Sequence, residues 1–183
     1  MKITTPQYLD VEQCVDYMLR EFDQAIRICI PLGLGKPVHL INALYRRACQ
    51  NPAIRLTIFT ALSLEKPTWS NDLERRFLEP FVARVWGGVP DLEFMLDLRK
   101  NALPANVRIH EIFFKAGAYD EHPAMQRDYI SSNYTHVVRD CAINGGDIFA
   151  HMMAKTADDT ERCYSASCNA DTTLQTLREF AAA

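Results

Sequence analysis

Two glycines, Gly33 and Gly35, interrupt the stretch Pro31-Leu-Gly-Leu-Gly-Lys-Pro37. An apolar run precedes them and a helix-period stretch follows. At such a strand-to-helix junction, glycines let the backbone approach a ligand closely, and the N–H groups of the helix start face it. Gly33, Leu34, Gly35 and Lys36 are therefore candidate ligand-binding residues. The loop lacks the third glycine of a dinucleotide fingerprint and the Lys-Ser/Thr pair of a P-loop, which disfavours nucleotide binding by either mechanism. A plain βα turn satisfies the same spacing.

Ser165-Ala-Ser-Cys-Asn-Ala-Asp171 is a second candidate. It follows an expected strand and opens a helical stretch, so Ser167, Cys168 and Asn169 are expected on the same edge as the glycine loop. Cys168 near a helix start has the setting of a low-pKa, nucleophilic thiol. No histidine is fixed beside it by spacing, and a buried thiol with an N-cap fits as well. Ser132, Asn133 and His136 could line a polar cleft, or cap and face solvent. Asp120, Glu121 and His122 could form an acid/base or metal group, or a solvated loop. The six cysteines are scattered without a C-x-x-C. Cys141, His151, Cys163 and Cys168 are zinc ligands by type but lack metal-ligand spacing, and no metal is expected.

The elements that must position these residues follow from periodicity. Val11, Cys14, Val15, Met18, Leu19 and Phe22 mark an amphipathic helix over 9–25. Strands are expected at 26–30, 54–62 and 107–114, rich in β-branched and aromatic residues. Helices are expected over 38–48 with Pro37 at the first helical position, over 72–85 with a capping box at Asn71 and Glu74, and over 91–100. A further helix is expected over 126–143, stopped by Asn144-Gly-Gly146, and a last one over 172–180. Two more strands are read at 147–156 and 163–167. This alternation predicts an α/β domain: a mainly parallel sheet with helices on both faces.

The chain has 183 residues and a net charge of −3, enough for one full domain and without the basic excess of a nucleic-acid surface. No apolar run approaches the ~20 residues that span a bilayer. Met1-Lys-Ile-Thr-Thr-Pro6 leads into an acidic amphipathic stretch rather than a signal-peptide core, so a cytoplasmic protein is expected.

Five blocks resemble, in order, the acetyl-CoA hydrolase/CoA-transferase family, of the 4-hydroxybutyrate CoA-transferase type. They are Pro31 to Tyr45, Leu56 to Leu64, Asp72 to Pro80, Tyr129-Ile-Ser-Ser-Asn-Tyr-Thr-His136 and Tyr164 to Leu174. The resemblance implies a CoA-transferase-like α/β fold, with residues 1–183 as a single N-terminal domain. In that chemistry a glutamate attacks an acyl-CoA thioester. The resemblance places this glutamate in a second α/β half that the chain does not match, and Glu65, Glu111 and Glu121 do not correspond to it. Catalytic residues are thus expected to be absent here. Gly33, Leu34, Gly35, Lys36, Ser167, Cys168 and Asn169 would form one wall of an acyl-CoA cleft. The implied partners are the C-terminal half of the same parent protein, an acyl-CoA and a carboxylate, with homo-oligomerisation. A non-catalytic dimerisation or regulatory module, and a sugar-phosphate-binding domain, are the other functions compatible with the fold.

Overall fold

In the computed structural model, residues 9–155, 163–166 and 170–182 are described. The first helix, α1 (Val11–Glu21), starts at Asp10, whose carboxylate accepts from the Gln13 N–H at 2.8 Å while Gln13 returns a bond to the Asp10 N–H. Its apolar stripe packs on α2 (Val38–Gln50), and the two cover β1 (Ala25–Cys29) and β2 (Arg55–Thr60). Next come α3 (Asp72–Trp86), α4 (Glu93–Arg99), β3 (Val107–Glu111), α5 (Pro123–Asp128), α6 (Val137–Ile143) and β4 (Ile148–Phe149).

All strand pairs in the main sheet are parallel and the order is β3-β2-β1-β4. Strands covered on both faces read as apolar runs, and the ends of β1 and β2, at Ile28 and Cys29 and at Ile58 and Phe59, are of this kind. Ile26, Ile28, Leu56, Ile58, Val107 and Ile109 point into the larger core beneath α1, α2 and α4. Cys29 and Phe59 point to the opposite face, where Val137, Val138, Cys141 and Phe180 form a smaller core. That second layer covers only the C-terminal half of the strands. Toward their start, Arg27, Arg55 and Arg108 are exposed.

Three expectations are corrected. The helix expected over 126–143 is two short helices, α5 and α6, joined by a non-helical stretch. Within it the Ile130 N–H bonds the Glu111 carbonyl, and Asn133 turns its side chain onto the Thr135 N–H. Polar side chains that bond their own backbone compete with the helix, and Ser131 to Thr135 is such a run. The strand expected over 147–156 pairs with β1 only at Ile148 and Phe149. Beyond Ala150 the chain leaves the sheet, and its tail becomes β5 (Ala154–Lys155). This pairs antiparallel with β6 (Tyr164–Ser165), the remnant of the strand expected over 163–167; Ser167 lies outside the described residues. Smaller shifts occur at caps. Pro37 is the N-cap of α2 rather than its first helical residue. Asn71 caps α3, but Glu74 accepts from Ser70 instead of closing a capping box. The last helix, α7 (Thr173–Ala182), docks on β4. Among the described residues no helix is long and apolar enough to cross a membrane.

Candidate functional site

Strand order reverses between β1 and β4, since β2 and β3 lie on one side of β1 and β4 on the other. In open parallel sheets ligands collect at such switch points, outside the carboxyl ends of the strands. The glycine loop follows β1 at this point. Gly33 to Gly35 form a single 3-10 turn, with Gly33 at φ +56°, where a side chain would be strained. The Met152 N–H donates to the Gly35 carbonyl at 2.9 Å, so the segment leaving β4 runs along the loop and completes the switch point. At the start of the turn, no carbonyl of the described residues takes the N–H groups of Gly33 and Leu34.

Lys36 turns inward. Its ammonium is buried and donates to the carbonyls of Pro31 at 2.9 Å, Ala61 at 2.6 Å and Leu62 at 3.3 Å. Three carbonyls match the three N–H bonds of a protonated amine. Burial pulls the Lys36 pKa down to about 8, against the attraction of Glu111 and Asp171. Glu111, at the end of β3, is fully buried. One carboxylate oxygen accepts from the Ser63 N–H at 2.7 Å, and the other has no hydrogen-bond partner among the described residues. Burial pushes the Glu111 pKa up, opposed by the Ser63 N–H and by Lys36. The carboxyl ends of β1, β2 and β3 are thus tied to one another by two charged side chains that face away from solvent.

Outside this clasp lies a cleft of about 190 Å³, lined by Gly33, Leu34, Leu64, Val85, Trp86 and Met152 among others. Its far wall, residues 90–92, is held by Asn42 on α2. Asn42 is buried, donates to the Asp91 carbonyl at 2.7 Å and accepts from the Glu93 N–H at 3.1 Å. Asp91 is the one acid lining the cleft among the described residues, and its carboxylate is 3.6 Å from the Lys66 ammonium. A largely apolar slot of this kind suits an apolar chain. Among the described residues no carboxylate in it is placed as a free nucleophile.

Of the residues singled out by sequence, Gly33, Leu34, Gly35 and Lys36 share this edge. Leu34 is at the cleft lip, while the Lys36 ammonium serves the clasp. Ser167, Cys168 and Asn169 lie outside the described residues. Ser132 donates to Asp140 at 2.5 Å, His136 is the N-cap of α6, and His122 meets Asn101. These groups do not converge on the cleft. Among the described residues no three His, Cys, Asp or Glu side chains are grouped as metal ligands. Cys141 instead packs with Cys29 in the smaller core. Sequence reading missed the roles of Asn42 and Glu111. The available signals were a polar residue within the apolar stripe of α2 and an acid closing an alternating strand.

Compared with protein-family models, curated proteins and solved structures, the chain matches none.

Proposed function

We propose that this chain forms the near wall of an acyl-CoA cleft, as the N-terminal α/β domain of an acyl-CoA hydrolase or CoA-transferase, and is inactive alone. The observation that carries this reading is the glycine turn at the switch point. Gly33 and Leu34 line a largely apolar cleft in which Asp91, ion-paired with Lys66, is the one acid among the described residues. The blocks that resemble the acetyl-CoA hydrolase/CoA-transferase family support it too, four of them lying outside the glycine turn.

In this reading the cleft holds the acyl chain and the backbone donors face the thioester oxygen, where negative charge develops during attack. A glutamate on a second α/β half attacks the thioester carbon. The C–S bond breaks, CoA leaves as thiolate, and an acyl-glutamyl anhydride forms. The thiolate then attacks the glutamyl carbon and releases the acyl group as a carboxylate, leaving a glutamyl-CoA thioester. Water or an acceptor carboxylate completes hydrolysis or transfer. This chain contributes binding and charge stabilisation, and the partner half contributes the nucleophile.

Trp86 lines the cleft and is one of two tryptophans in the chain, the other being Trp69. In a Trp69→Phe background, acetyl-CoA is expected to shift Trp86 emission saturably. Leu34→Asp, at an exposed lip position, places a charge against the acyl chain and is expected to weaken that binding roughly tenfold or more. A folded Leu34→Asp protein with unchanged acetyl-CoA affinity would overturn the assignment. Sugar phosphates are expected to leave the emission unmoved.

A further inference from the structure

Helix α3 has 15 residues and buries none of them. Leu73, Phe77, Phe81 and Val85 are 79%, 80%, 49% and 39% exposed. Spaced four apart, they fall on one arc of roughly 120° along the helix. Single exposed apolar residues are ordinary on a protein surface, whereas a continuous apolar stripe marks a contact surface.

The stripe has a symmetry of its own. Glu79 is the midpoint of α3, and reversing the helix about that level exchanges Leu73 with Val85 and Phe77 with Phe81. The same reversal exchanges Glu74 with Arg84, which lie within the same arc and carry opposite charges. A surface that maps onto itself under reversal is what a two-fold interface requires. Set antiparallel on a second copy, Leu73 of one chain meets Val85 of the other, the two phenylalanine pairs pack at the dyad, and Glu74 faces Arg84 at both ends.

We propose that α3 is a homodimer interface, pairing antiparallel with α3 of a second copy across a two-fold axis at the level of Glu79. Charge favours this occupant over an anionic lipid surface, which wants a uniformly basic rim. The basic residues beside the stripe are already committed. Arg75 is paired with Asp72 and Glu79 at 2.8 and 2.7 Å, and Arg76 with Asp72 at 2.8 Å. Arg84 alone has no ion-pair partner among the described residues. Leu73, Phe77, Phe81 and Val85 keep 79%, 80%, 49% and 39% of their surface exposed, and they supply the apolar centre of such a contact while the charged residues beside them supply its rim. Val85 also lines the cleft beside the glycine turn, so the other copy's Leu73 would close one end of that cleft.

Sedimentation equilibrium of the 183-residue chain over the micromolar range tests this without reference to any ligand. The expected mass is twice the 20.9 kDa of one chain. Phe77→Glu, an exposed substitution counted twice in a symmetric interface, is expected to weaken association at least ~tenfold with an unchanged far-UV spectrum. Glu74→Arg and Arg84→Glu are each expected to weaken it, and the double variant to restore it. Restoration separates the pairing from any local effect of Glu74 on the helix start. A wild-type chain at monomer mass throughout would overturn the proposal. So would a Phe77→Glu dimer as tight as wild type, or a charge-swapped double variant no tighter than the single ones. None of these outcomes depends on acyl-CoA binding, so they are distinguishable from a failure of the cleft assignment.

Discussion

The Lys36 ammonium donates to the Ala61 carbonyl at 2.6 Å, tying the loop after β1 to the chain leaving β2. The same nitrogen bonds Pro31 and Leu62, so one side chain fixes the path of the glycine turn from beneath. Lys36→Met would leave these carbonyls without their donor. Burying such unsatisfied groups is expected to cost about 2–3 kcal/mol, read as a lower urea midpoint with unchanged slope. Lys36→Arg is expected not to rescue, because a planar guanidinium cannot reproduce the converging bonds of an ammonium.

Glu111 gives the domain a pH signature. Burial holds its folded pKa above the unfolded value of about 4.3. Between those two values the folded state binds more protons than the unfolded chain, so stability falls as pH rises. The contribution is fully present below the unfolded pKa and is lost as pH rises through the folded one. Glu111→Gln does not titrate. The stability of wild type relative to this variant is therefore expected to decline from acid toward neutral pH in urea titrations. A flat or rising difference would contradict the burial argument.

Gly146 is where β4 closes on β1. A Cβ there would sit 2.5 Å from the Cys29 sulfur and 3.3 Å from both the Cys141 carbonyl oxygen and Phe180. Gly146→Ala is expected to destabilise by about 1–3 kcal/mol through overpacking. Adding Cys29→Ala removes the closest atom and should recover part of that loss. The non-additivity of the pair in a double-mutant cycle checks it.

Asn42 holds the far wall of the cleft by one donor and one acceptor bond. Asn42→Leu would leave the Asp91 carbonyl and the Glu93 N–H unpaired, at an expected cost of about 2 kcal/mol. Because residues 90–92 line the cleft, acetyl-CoA affinity should fall together with stability. Leu34→Asp, on the exposed lip, should lower affinity while leaving stability near wild type.

Where the sequence was legible, burial was simple. Ile26 to Ile30 and residues 55–60 are apolar on the covered faces, and the glycine turn sits where the strand-to-helix change put it. Legibility ended where side chains or tertiary contacts overrode periodicity. The apolar spacing across 126–143 allowed one helix, but Asn133 and its neighbours satisfy backbone groups locally, and Ile130 extends toward the end of β3. The run after Ile148 is largely apolar and was expected as strand, yet the Met152 N–H is taken by Gly35, which draws the chain off the sheet. Lys36 read as a residue facing a ligand because spacing cannot show which way a side chain turns. The stripe on α3 is plain in spacing, but its exposure depends on what packs against the helix.

The most direct test of the cleft assignment follows acetyl-CoA with the Trp69→Phe chain, reading Trp86 emission and thioester absorbance in the same cuvette. A near wall without a nucleophile predicts a saturable change in emission while the thioester stays intact. Thioester loss catalysed by this chain alone, or an emission that does not respond, would contradict it.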